Sequence, residues 1–208
     1  KEIPITEINN FEKKNKERFK IIAKKSYQLK TATDYNKKEL YKLLDAENEN
    51  GMNYGTAAHQ LMEYLIEEIR RKPAEDKEYY SSYLNDYFKL IAAKFELNQN
   101  DQNSMQYIID QFFQSELYQK IKAAEEVETE LAFYLKINDS DYLNGIIDLA
   151  FKKDKQWSVI DFKTGKAKNE ADQMKKEKAY QPQLDIYSQA WKKINGREPA
   201  QTGIYWLD

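Results

Sequence analysis

Through most of the first 125 positions apolar residues recur with a helical period, and after Val127 the period changes to that of strands. Ile5-Thr6-Glu7-Ile8-Asn9-Asn10-Phe11 opens an amphipathic stretch predicted to run as helix to about Leu29. A polar segment with turn character follows, ending in Asn48-Glu49-Asn50-Gly51. Leu61, Met62, Leu65, Ile66 and Ile69 then mark a helix, with Thr56 as its N-cap and Pro73 at its end. Two further helical patterns lie near Tyr79–Phe95 and Met105–Ile121, separated by Asn98-Gln99-Asn100-Asp101. Strands are predicted over Glu130–Ile137, Tyr142–Phe151 and Trp157–Lys163, with a polar turn at residues 152–156. Lys166–Lys178 reads as a lysine-rich connection. Tyr180–Ile194 returns to helix with Pro182 in its first turn, Asn195-Gly196 ends it, and Gly203–Leu207 forms a last strand. The order is helices, three strands, helix, strand. No boundary divides it, so a single unit over 1–208 is expected, mainly helical at 1–125 with an αβ core at 126–208.

Composition narrows the chemistry. Sixteen Tyr, nine Phe and three Trp in 208 residues argue for a packed globular chain. The net charge of -2 excludes a globally basic nucleic-acid binder and leaves room for a local basic strip. The absence of cysteine excludes disulfides, iron–sulfur clusters, thiolate metal sites and a Cys nucleophile. No apolar run approaches the ~20 residues of a membrane span, so no membrane partner and a cytoplasmic setting are expected. The chain starts at Lys1, as a fragment of a longer protein would.

The informative segments are Gly145-Ile146-Ile147-Asp148-Leu149 and Ile160-Asp161-Phe162-Lys163-Thr164. A hairpin symmetric about Asp154 and Lys155 would set Asp148 opposite Asp161, with Cβ atoms roughly 5 Å apart. Lys163 would project from the same face as Asp161. Ile147, Leu149, Phe151, Ile160 and Phe162 would point to the other. Two like charges opposed inside apolar strands are unfavourable, and a cation between them removes the repulsion. Carboxylate oxygens suit Mg²⁺ or Mn²⁺. The bland alternative is a surface hairpin with ordinary solvated charges. His59, the one histidine, shares a helix face with Met62, Glu63 and Ile66. Such a residue is more often structural than ligating, and as a ligand it would add a nitrogen to an oxygen site, a mixture that tolerates Mn²⁺ well. Gln183 and Tyr187, four apart, share a helix face. The lysines from Lys163 to Lys178 make either a solvated connection or a phosphate-facing strip.

Taken in chain order these segments resemble the RecB-like branch of the PD-(D/E)XK nucleases, above all the C-terminal nuclease domain of AddA-type (RexA-type) helicase–nucleases. Ile5-Thr6-Glu7-Ile8 is similar to the family's opening segment, and Gly55-Thr56-Ala57-Ala58-His59 to its Gly-Thr-x-x-His helix. Glu130-Leu131-Ala132-Phe133 is similar to its Glu-x-Pro-Phe strand, with Ala132 in place of the proline. Gly145–Asp148 and Asp161–Thr164 are similar to its two catalytic strands, though no proline precedes Asp148. Tyr180 with Gln183–Tyr187 is similar to its Gln-x-x-x-Tyr helix. The resemblance implies a mixed central β-sheet flanked by helices, a restriction-endonuclease-like α/β core behind a largely helical N-terminal half. It implies Mg²⁺-dependent DNA hydrolysis, with Mn²⁺ able to substitute and no iron–sulfur cluster. His59, Asp148, Asp161 and the Phe162 carbonyl would hold the metal, and Lys163 would serve the attacking water or the phosphate charge. Glu130 would be a further acidic member, and Gln183, Tyr187 and Tyr180 would position the strand. Expected partners are DNA and a helicase domain in the same chain or complex, in double-strand-break repair. Two alternatives remain: a catalytically silent DNA-binding relative, and a helical interaction module in which His59 lies far from Asp148.

Overall fold

The structure is a computed structural model and describes residues 28–31, 49–136, 141–165, 167 and 169–207. The opening segment at residues 5–8, the amphipathic stretch up to residue 27, most of the polar segment before residue 49, and Lys166 and Lys168 lie outside the described residues. The element order is β1 (Gln28–Thr31), α1 (Glu49–Arg71), α2 (Lys77–Lys94), α3 (Gln99–Gln114), α4 (Glu116–Lys122), β2 (Glu126–Lys136), β3 (Asp141–Lys153), β4 (Gln156–Lys163), α5 (Glu170–Asn195) and β5 (Gln201–Trp206).

Local signals set most helix ends. Asp76 caps α2 by accepting from the Tyr79 N–H at 2.9 Å. Asn98 and Asp101 form a capping box at the start of α3. Ser115 accepts from the Tyr118 N–H at 3.1 Å, and so divides the single helix expected over 105–121 into α3 and α4. Gly196, at φ 76°, takes the left-handed position after α5.

Three expectations need correction. Gln28–Thr31 is a strand and not the end of a helix, because it pairs in parallel with residues 141–144 of β3. Helix α1 begins at Glu49, so Thr56 is interior to it and caps nothing. The apolar stripe of α1 starts at Ala57, and the turns before it offer little periodicity to detect. Helix α5 begins at Glu170, so the lysine-rich segment is largely helical and Pro182 lies mid-helix. Its N-terminus is fixed by Asn169, which accepts from the Asp172 N–H at 3.0 Å. The lost N–H of Pro182 is tolerated within a long helix anchored by Ala179, Tyr180, Leu184, Ile186, Ala190 and Trp191, all buried.

The five strands form one mixed sheet. Along it the order is β1-β3-β4-β5, with β2 on the other side of β3. Helices cover both faces, giving the expected α/β architecture. Ala57, Leu61, Leu65, Ile66 and Ile69 of α1 join residues of α2, α3 and α4 in a core against Leu149, Phe151, Ile160 and Phe162. Ile186, Ala190 and Trp191 of α5 pack on the opposite face against Leu143, Ile147, Ala150 and Val159. Each such fully buried aliphatic side chain contributes about 1.5–3 kcal/mol relative to exposure. No described helix is long and apolar enough to cross a membrane.

Candidate active site

The site begins with a turn at the far end of its hairpin. Asp154 and Lys155 both have positive φ, 51° and 64°, which is the two-residue turn whose twist matches paired strands. It sets the register Lys153↔Gln156 through Leu149↔Ile160. One step further the strands stop pairing, and the residues facing each other across the break are Asp148 and Asp161. Strand β4 continues beside β5, with Asp161↔Ile204 and Lys163↔Trp206, while β1 takes up the edge of β3 at residues 141–144. The sheet therefore splits at the two carboxylates. Asp148 Oδ2 spans part of the split by accepting from the Phe162 N–H at 2.6 Å.

A second irregularity lies beside the first. On β2, Val127 packs in the core under α1, whereas Phe133 and Leu135 pack under α5. An unbroken strand keeps odd-numbered residues on one face. The exchange occurs around Glu130, a non-glycine residue at φ 48°. Its register neighbours are Thr129↔Leu149 and Leu131↔Ile147, so Glu130 stands opposite Asp148. Strand β3 exchanges faces at the same level. Ile147 belongs to the α5 side, while Leu149 and Phe151 belong to the α1 side. The expected single face for Ile147, Leu149 and Phe151 is corrected accordingly. Asp148 occupies the crossing point, where groups from both helical layers can reach it.

From the α1 side comes His59. Gly55 lets α1 run close to the end of β4, since a Cβ there would stand 3.3 Å from Thr164 Oγ1. One turn on, His59 Nδ1 lies 3.7 Å from Asp148 Oδ2, and its ring meets Phe162 edge-on at 6.0 Å. The interaction-module alternative required these residues to be far apart, and the structure brings them together. From the α5 side, Gln183 Nε2 donates to Asp161 Oδ1 at 3.3 Å and to the Tyr187 hydroxyl at 2.7 Å. Lys163 Nζ lies 2.7 Å from Asp161 Oδ2 and 5.1 Å from the Tyr180 ring centre. Tyr180 is buried behind the lysine, so it holds Lys163 rather than lining the cleft.

Burial governs the electrostatics. Asp161 is 1% exposed and Asp148 9%. Burial, and then the Asp161 charge, pushes the Asp148 carboxyl up to about 8 against the opposing pull of Lys163 and the Phe162 N–H. His59 is held below its ordinary value by burial first and by the Lys163 charge second. The Asp161 charge and the Phe162 backbone work the other way. Burial raises Glu130 and Glu63, each aided by a neighbouring glutamate. Tyr187 is pushed well above the ordinary phenol range by burial and the two aspartates.

Two clefts meet at Asp148, His59 and Ile146. One, of about 490 Å³, is lined also by Asp161, Lys163, Gln183, Tyr187 and Tyr134. The other, of about 370 Å³, is lined by Thr56, Gln60, Glu63 and Glu130. Among the described residues, no three His, Asp or Glu side chains are gathered as a ready metal centre. The donor set nonetheless fits a cation. Asp161 Oδ2 is buried and, although the Lys163 ammonium is close, it has no aligned hydrogen bond. A carboxylate oxygen left in this state beside a second carboxylate is a place for a hard cation.

Glu63, Tyr134 and Ile146 were not assigned to the site from sequence. For the last two the signal was present: they alternate with Leu131, Phe133, Leu135 and Ile147 and so cannot belong to that core.

The profile of the PD-(D/E)XK nuclease superfamily matches residues 24–208. The chain belongs to this superfamily. As a PD-(D/E)XK chain it is similar to an ATP-dependent helicase/nuclease of Staphylococcus haemolyticus, with 29% identity over 121 residues. That alignment covers 53% of this chain and 9% of the relative. The ATP-dependent helicase/nuclease of Clostridium kluyveri is 25% identical over 132 residues, covering 56% of this chain and 10% of the relative. The match thus spans about a tenth of the length of these curated relatives. Protein VC1899 of Vibrio cholerae aligns over 83% of this PD-(D/E)XK chain and 47% of its own, at 13% identity and a TM-score of 0.29.

Proposed function

We propose that this chain is a single nuclease domain that hydrolyses DNA phosphodiesters with Mg²⁺, Mn²⁺ substituting, and that it acts as an exonuclease on single strands. The observation that carries the reading is the pair of buried carboxylates opposed at the split of the sheet, with Lys163 beside them, in a chain of a nuclease superfamily. Asp148, Asp161, His59 and the Phe162 carbonyl would hold the cation. When bound, the cation supplies charge neutralisation at the phosphate and acidity to a water.

The chain's own residues do the rest. Asp148 must be ionised to bind, so its raised pKa makes loading a competition between proton and metal. With a cation held by the two carboxylates, the Lys163 ammonium, now beside Asp161, would be free to turn toward the cleft. There it meets the negative charge that gathers on phosphate oxygens in the transition state. Gln183 keeps the second Asp161 oxygen occupied and so ties it to α5, its own amide being steadied by the Tyr187 hydroxyl one turn on. Glu130 adds negative charge near Asp148 and so raises the demand for a cation.

The relatives are named as helicase/nucleases. We place this chain likewise, in the cytoplasm beside a helicase domain that feeds it single strands during double-strand-break repair. The net charge of -2 gives it little general pull on DNA, which a tethered partner would offset. The test is cleavage of single-stranded, duplex and nicked DNA with EDTA, Mg²⁺ or Mn²⁺, for the parent and Asp161→Ala. Metal-dependent cleavage that Asp161→Ala abolishes, together with its metal binding, is expected. No metal-dependent cleavage on any substrate, even with a helicase partner restored, would favour the silent DNA-binding relative.

A further inference from the structure

Beyond the carboxylates the cleft continues along the sheet. Ala132 and Tyr134 of β2 and Asn144 and Ile146 of β3 line it together with Asp148, Asp161 and Lys163. Their neighbours Phe133, Leu135, Leu143 and Ile147 fill the core under α5, so strand alternation leaves the even-numbered set on the open face. An open strand face is ordinarily polar. Here Tyr134 is 69% exposed and Ile146 46%. The register pairs Tyr134 with Asn144 and Ala132 with Ile146, so Ile146 lies between Tyr134 and Asp148.

The half-buried tyrosines of α1 and α2 behave differently. Tyr64, Tyr79, Tyr83 and Tyr87 stack on one another, and their ring faces are used. Among the described residues Tyr134 has no ring, cation or hydrogen-bond partner, so its faces are open. Two side chains are far too little for a stable protein interface, which needs about 1,200 Å². They match the face of one base. Asn144 to Asp148 is about 13 Å of strand, no more than about four stacked nucleotides. Lys163 supplies positive charge at the near end, and Lys136 is exposed beyond Tyr134.

We propose that Tyr134 and Ile146 form a stacking platform for an unpaired nucleobase of the strand whose phosphate lies at Asp148, Asp161 and Lys163; this rests on the nuclease reading above. Stacking on an aromatic ring is tolerant of base identity and needs a free base face. Duplex bases are already stacked on both sides. The platform therefore selects single strands without selecting sequence.

The experiment uses the 208-residue chain in EDTA, where binding is read without cleavage. Fluorescence anisotropy is measured with labelled oligothymidylate and with a blunt hairpin duplex, for the parent, Tyr134→Ala, Tyr134→Phe and Ile146→Ser. Tyr134→Ala should weaken single-strand binding by about tenfold. Tyr134→Phe should restore it, Ile146→Ser should show a smaller loss, and duplex binding should stay unchanged. Equal thermal midpoints for parent and variants separate this from unfolding. Unchanged single-strand binding by Tyr134→Ala, or an equal loss for duplex, overturns the platform while leaving a parent that cleaves DNA as a nuclease. A parent that neither binds nor cleaves DNA overturns both readings together.

Discussion

Asp148→Asn should make the metal-free protein more stable at alkaline pH and take away much of its pH dependence. The ordinary pKa of this carboxyl is 3.8, and the folded protein raises it to about 8. Between those values the folded state keeps a proton that the unfolded chain has released. Stability from this group is therefore complete below about pH 4, falls as the pH climbs, and is fully lost above about pH 8. The separation sets a ceiling of about 6 kcal/mol. The Lys163 ammonium lies close to the pair of carboxylates, and water can enter the cleft, so a loss of about 2–3 kcal/mol is expected. His59 acts in the opposite sense below its ordinary value of 6.5, because the folded protein disfavours its charged form. The useful readout is thus the difference between parent and Asp148→Asn in denaturant midpoints taken at about pH 5 and about pH 8. Mn²⁺ should add stability to the parent chiefly at the higher pH, where metal no longer competes with a proton. If the two proteins show the same slope with pH, Asp148 is not the strained carboxyl that the geometry makes it.

Three other outcomes are expected. Lys163→Ala should lower turnover by about 10²-fold or more while leaving Mn²⁺ affinity equal or slightly higher, since a cation competing for Asp161 is removed; calorimetry and single-strand cleavage on one preparation decide it. Gly196→Ala should cost about 1 kcal/mol by chemical denaturation, because φ 76° penalises a side chain although no atom lies within 4 Å of it. DNA binding by the isolated chain should be weak and fall steeply with added salt, and tight, salt-insensitive binding would count against a tethered nuclease.

Much of the site was legible because it depends on short-range rules. The spacing of Asp148 and Asp161 about Asp154-Lys155 determined the register, and the i, i+4 spacing of Gln183 and Tyr187 placed both on one face of α5. Periodicity also located the buried stripe of α1. What could not be read depends on distant partners. Gln28–Thr31 is a strand only because residues 141–144 lie beside it, and Glu49 is helical through a context that its neighbours' weak propensities do not disclose. The face exchange at Glu130 had no signal, since nothing in Glu-Thr-Glu-Leu marks a left-handed residue. Pro182 was misleading, because its usual place is the first turn and here the helix had begun at Glu170.

The two-residue turn at Asp154 and Lys155 works as a ruler. The distance between the opposed carboxylates is counted out along the hairpin, residue against residue, from a point remote from the cleft. Many side chains between Leu149 and Ile160 could change with little effect on that count. One residue gained or lost within β4, between Gln156 and Asp161, would turn Asp161 toward the α1 layer and deliver Phe162 to the cleft, because side chains alternate with a period of two. Over this stretch the chain should be permissive in identity and intolerant in length, so related chains that keep the site should differ here by substitution and hardly ever by insertion.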